Sequence, residues 1–135
     1  MNWVLITSGS RYPVSRRKIK RFVLQYFENI GLSDAEISVA FVGSRKITEL
    51  NKKWRGLDEE TTVLTFALEE PRGLDGILRI GDIVICYPQA RTIASEDNLL
   101  MQEAIEKLLV HGLDNLLGNK KNADNFLPQI PVAEF

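Results

Sequence analysis

Residues 97–117 constrain this chain more than any other stretch, because they combine a helical apolar pattern with the only histidine among 135 residues. Met101, Ala104, Ile105, Leu108, Gly112 and Leu116 recur at three- and four-residue steps, which places them on one stripe of a helix surface. The pattern predicts a single helix over Asp97–Leu117. Ser95 or Asp97 is the expected cap, since a short side-chain oxygen accepts the unpaired amide hydrogens of a first turn. Gly118 closes the pattern, as a residue able to turn left-handed past a helix end. His111 and Asn115 stand four residues apart and project together beside the stripe. A metal-binding helix needs that spacing, but of the two only the imidazole is a strong ligand. A histidine packed beside the core satisfies the same spacing.

The rest of the chain sets the class. With 44% apolar residues, the length suits one compact domain, residues 1–135, in which 119–135 form a tail docked through Phe126 and Leu127. No apolar run reaches the roughly eighteen residues of a membrane span. The opening residues lack a basic lead before their short apolar run and read as a strand, not a signal peptide. Cys86 is the lone cysteine, which excludes an internal disulfide and a cysteine-built zinc site. It reads as a small buried hydrophobe within Ile83–Cys86. These features predict a cytoplasmic protein.

The net charge of −1 hides an asymmetry. Residues 1–56 carry eleven Lys/Arg against four Asp/Glu, or +7, and residues 57–135 carry six against fourteen, or −8. Arg11, Arg16, Arg17, Lys18, Lys20 and Arg21 gather at the start of one predicted helix. Such a cluster attracts a polyanion by neutralising phosphates and releasing counterions. A solvated helix face partly paired with the acidic half accounts for it equally well.

Read in order, Trp3–Thr7 is a strand, and Ser15 caps a helix to about Asn29. Glu36–Val42 alternates as a strand, and Ser44 caps a second helix through about Trp54. Thr61–Leu68, rich in β-branched residues, reads as a central strand. Ile77–Cys86 is a strand interrupted at Gly81. Tyr87–Ala94 is a short helix that tolerates Pro88 in its first turn. The order β-α-β-α-β-β-α-α predicts an α+β fold, a small mixed sheet with helices packed on it.

Four stretches then fit one pattern. Leu50-Asn51-Lys52-Lys53-Trp54-Arg55-Gly56 precedes Thr61-Thr62-Val63-Leu64-Thr65-Phe66. Gly81-Asp82-Ile83-Val84-Ile85 follows, and last His111-Gly112 with Leu116-Leu117-Gly118. This ordered set resembles the YbeY family of endoribonucleases that mature ribosomal RNA. The resemblance implies the metalloprotease-like YbeY fold, with the metal helix laid across a small mixed sheet. It also implies a zinc ion held by three histidines, a cleft arginine on the RNA phosphate, and RNA of the small ribosomal subunit as partner. Matched position by position, His111 takes the first ligand place, Asn115 the second and Lys121 the third. Thr62 stands where the family has Asp, and Thr65 where it has Ser.

One imidazole is too few to hold a divalent ion. The Asn115 amide is a weak donor, and a lysine ammonium has no lone pair and repels a cation. Weak or absent zinc binding is therefore expected. Arg55 and His111 are the catalytic candidates, and Arg16, Arg17, Lys20 and Arg55 the RNA-binding ones. The guanidinium of Arg55 suits two phosphate oxygens at once, unless it pairs with Asp58, Glu59 or Glu60. Asp82 reads as structural. Three functions remain open: a metal-dependent endoribonuclease, a non-catalytic RNA-binding or ribosome-assembly module, and an altered chain that retains only the fold.

Overall fold

In the computed structural model, which describes residues 1–68, 72–118 and 127–128, strand-forming runs become five strands: β1 (Trp3–Thr7), β2 (Ala35–Val42), β3 (Val63–Ala67), β4 (Leu78–Cys86) and β5 (Leu127–Pro128). They make one sheet in the order β1-β2-β4-β3-β5. β1, β2 and β4 run parallel, whereas β3 runs antiparallel to β4 and parallel to β5. The sheet is mixed, as expected. The residue expected to dock the tail, Leu127, pairs with Phe66 of β3, while Phe126 lies outside the described residues.

The helices are α1 (Arg16–Asn29), α2 (Ser44–Arg55), α3 (Tyr87–Glu96) and α4 (Met101–Leu113). Because strand side chains alternate, the sheet has two apolar faces with different partners. Ile37, Val39, Phe41, Val63, Ile83 and Ile85 face one core, closed by Ile19, Val23 and Phe27 of α1 and by Ile105, Leu109 and Leu113 of α4. Leu64, Phe66, Val84 and Cys86 face the other, closed by Ile47 and Leu50 of α2. Leu109 and Leu113, both fully buried, lie beyond the apolar stripe predicted for α4. That stripe is wide because the helix meets the sheet, α1 and α3 together.

Two glycines set local geometry. Gly81 has φ +144°, and a Cβ there would run into the Phe66 carbonyl oxygen. Glu36 pairs with Arg79 and Ile37 with Gly81, leaving Ile80 as the extra residue of a bulge, which is the predicted interruption. At Gly112, a Cβ would lie 2.9 Å from Cγ2 of Ile83. The missing side chain lets α4 approach β4 closely.

Ser15 caps α1 as expected, its hydroxyl accepting from the Lys18 amide at 3.3 Å. Two predicted helices need correction at their ends. The helix expected over Asp97–Leu117 is divided: Asp97 ends α3, and α4 begins at Met101. The Glu103 carboxylate accepts from the Leu100 amide at 2.8 Å and secures that start, so neither Ser95 nor Asp97 caps it. The far end leaves regular α-helix as a π-helical turn, Asp114–Gly118. For α2, Gly43 occupies the cap position and Ser44 is the first helical residue. Among the described residues no helix is long and apolar enough to cross a membrane.

Candidate functional site

Arg55 is the last residue of α2, and the chain turns sharply after it. Gly56 takes the left-handed conformation (φ 73°), and the Gly56 and Leu57 amides donate back to Lys52 O and Asn51 O. Gly and Asn serve this αL position best, because a Cβ is costly there. Trp54 packs edge-on against Phe66, with ring centroids 6.1 Å apart. That contact fastens the end of α2 to β3. The acidic loop folds back on α2, where Asn51 Nδ2 donates to Glu59 O at 2.9 Å.

Three of the four motif stretches meet at one cleft of about 300 Å³, lined by Arg55, Thr61, Thr62, Val63, Leu64, Thr65, His111 and Asn115. α4 and its π-helical turn bring His111 and Asn115. β3 and the approach to it bring the threonines, with the Thr62 carbonyl accepting from the Cys86 amide at 2.9 Å. Of the predicted site residues, the fold therefore unites Arg55, His111 and Asn115. Lys121 lies outside the described residues.

The acidic loop beside Arg55 is engaged elsewhere. Asp58 approaches Lys52 at 3.8 Å, and Glu60 accepts from the Cys86 thiol at 3.6 Å. Hydrogen bonding from Ser44 first, with Gln89 and Cys86 after it, holds the Glu60 carboxyl below the usual range. Burial pushes the Cys86 thiol up, in keeping with the small buried residue expected there. Among the described residues no carboxylate lies within ion-pair distance of Arg55. The alternative partner proposed by the sequence is thus not taken up. Asp82, read as structural, is 1% exposed on β4, between Ser38 and Phe66 in register.

The other predicted RNA-binding residues assemble separately. Arg16, Arg17 and Lys20 line an open groove on α1 with Arg21, Leu24, Gln25 and Glu28. This groove shares no residue with the cleft. The Arg16 guanidinium donates to the carbonyls of Ile6 and Ser8, which holds the start of α1 against the end of β1. Sequence reasoning overlooked Tyr26 of α1, whose hydroxyl donates to Asp114 Oδ1 at 2.7 Å. Burial, and then this bond to a carboxylate, push the tyrosine pKa up to about 12. Tyr26 looked only apolar because Asp114 is 88 positions away.

Among the described residues the donor set does not fit a tightly held divalent metal. Among the described residues no three His, Cys, Asp or Glu side chains gather where they could hold a metal ion. The cleft offers one imidazole, one amide and hydroxyls, beside a guanidinium. Neutral hydroxyl and amide oxygens without a carboxylate or further imidazoles are a poor set for zinc.

Comparison with known proteins gives this chain a family. Residues 8–125 match the family described as Endoribonuclease YbeY. An Endoribonuclease YbeY of Anaeromyxobacter is 38% identical over 113 residues, covering 82% of this chain and 58% of the relative. One of Persephonella marina is 35% identical over 120 residues, covering 87% of this chain and 78% of the relative. The chain thus spans little more than half the length of the first and over three quarters of the second. The solution structure of TM1509 from Thermotoga maritima shares the fold, with a TM-score of 0.57 at 24% identity, covering 88% of this chain and 73% of that one. From the extent of these matches, the chain belongs to the YbeY endoribonuclease family.

Proposed function

We propose that this protein acts in ribosomal-RNA maturation by engaging single-stranded RNA, with Arg55 on a phosphate at the cleft and Arg16, Arg17 and Lys20 on a neighbouring stretch of backbone. Family membership supports the RNA setting. The observation that carries the reading is the convergence of Arg55, His111 and Asn115 on one cleft, with the guanidinium unclaimed by a described carboxylate. A planar fork of donors in that position suits a phosphodiester. The small ribosomal subunit as partner and a cytoplasmic location follow from this role.

His111 and Arg55 are the groups placed to act on a phosphodiester there. Zinc, which the family resemblance implies as cofactor, would find His111 as its one strong ligand among the described residues. The donor set therefore favours RNA binding with weak or absent metal-dependent cleavage over full endoribonuclease activity. Fluorescence anisotropy with a single-stranded RNA oligonucleotide tests the reading. Binding at low salt that weakens in Arg55→Met supports it. No binding at low salt overturns it, and efficient cleavage only when zinc is supplied overturns the weak-metal part.

A further inference from the structure

We propose that the cleft is an oxyanion site, taking a phosphate group directly on the side chains of Arg55, Thr62, His111 and Asn115 without a bridging metal ion. The proposal deepens the RNA reading and rests on it only for the identity of the natural ligand. Three observations carry it. The first is the sign of the charge in the lining. Arg55 brings one permanent positive charge, and among the described residues no Asp or Glu lines the cleft. The C-terminal end of α4 adds a partial negative charge of about half a unit, which the full charge of Arg55 outweighs. A divalent cation entering this space would meet a guanidinium, whereas a phosphate would be attracted by it.

The second observation concerns donors. Arg55 offers a rigid fork of N–H groups, Asn115 an amide NH₂, Thr61 and Thr62 hydroxyls, and His111 a ring N–H. Among the described residues the side chains of Arg55, His111 and Asn115 make no hydrogen bond to protein. Their donors are available to a ligand, and a phosphate has acceptors for all of them. The third is the recess itself. The lining residues surround a space of about 300 Å³, and an ion pair in such a recess is screened less than one on a flat open surface. The positions that resemble metal ligands in the family thus belong here to a site of opposite preference.

The experiment titrates metal-stripped protein with inorganic phosphate at constant ionic strength, set with chloride, and follows backbone amide NMR shifts. Saturable shifts centred on Thr62, His111 and Asn115, in the presence of a chelator, are expected. Arg55→Met should weaken them about tenfold or more, the usual scale for a lost charge-assisted pair. Thr62→Asp, which puts a carboxylate into the lining, should remove saturation while leaving the amide spectrum of α1 in place. That spectrum reports folding independently of the ligand. Shifts that need added zinc, no saturable shifts in the unsubstituted chain, or undiminished phosphate binding by folded Thr62→Asp would each overturn the proposal. A short single-stranded RNA in the same buffer separates the two readings. RNA binding with no response of the cleft to phosphate removes the oxyanion site alone. Phosphate saturation without RNA binding keeps the site and removes the RNA role.

Discussion

The cleft and the α1 groove are both lined by cationic side chains, yet they are built in opposite ways. The groove comes from one helix: Arg16, Arg17, Lys20 and Arg21 lie within two turns, open to solvent, with Glu28 at its far end. The cleft gathers Arg55 from α2, threonines from β3 and the approach to it, His111 from the end of α4 and Asn115 from the turn that follows. A contiguous cationic row on a helix supplies charge that tracks a backbone but discriminates little. A set gathered from three packed elements supplies geometry, which is what selecting or activating one phosphate requires. The groove suits general attraction, and the cleft the specific contact.

The largest expected effect would break the comparison by turning the cleft into a cation site. Asn115→His combined with Lys121→His restores the imidazoles that the family resemblance assigns to those positions. Zinc affinity should rise on the order of a thousandfold or more, given the strength of multi-imidazole sites. Competition against a chromophoric chelator measures it. Unchanged affinity would mean that 115 and 121 do not converge on His111. An unsubstituted chain that already retains zinc against the chelator would sink the sign argument itself.

A smaller effect sharpens the division of labour. Arg16→Ala with Arg17→Ala should reduce the slope of log K against log salt for single-stranded RNA by about 1.4, since each lost phosphate contact removes about 0.7. Arg16 also supports the end of β1 through Ile6 and Ser8, so the Arg17→Ala single variant, with about half that change, is the cleaner measurement. An unaltered slope would leave the cleft as the whole RNA surface.

The smallest effect lies at the link between the two regions. Tyr26 sits on the groove helix, and its hydroxyl bonds Asp114, the first residue of the turn that carries Asn115. Tyr26→Phe should cost about 1 kcal/mol or less, the scale of a hydrogen bond near the surface. The sign of the pH dependence follows from the tyrosine pKa, raised by burial and by Asp114 from about 10 to about 12. The folded state favours the protonated phenol, so its contribution is fully present below pH 10 and is lost as pH rises toward 12. Urea denaturation of both chains across that window should show their stabilities converging. A constant difference would mean that the hydroxyl does not couple α1 to the cleft.

Much of this molecule was legible from residue order. The β-branched runs, the Ser15 cap, the break at Gly81 and the helical stripe on α4 are local signals, because backbone preference and side-chain period act within a few residues. The basic groove was legible for the same reason, being a single helix. The ordered motifs also identified Arg55, His111 and Asn115 as residues of one site.

Tertiary structure alone decided what those residues have around them. The start of α4 at Met101 is the exception, since Glu103 holds the Leu100 amide three residues away, a local capping signal that the choice of Ser95 or Asp97 passed over. The availability of Arg55 depended on where the loop carboxylates turned: Asp58 toward Lys52, and Glu60 toward Ser44, Gln89 and Cys86. Tyr26 became a polar partner only when the fold brought Asp114 to it across 88 positions. Sequence specifies which groups carry charge and which stretches form helix or strand. Which charges neutralise one another, and which remain for a ligand, depends on distances that exist only after the sheet and helices have packed.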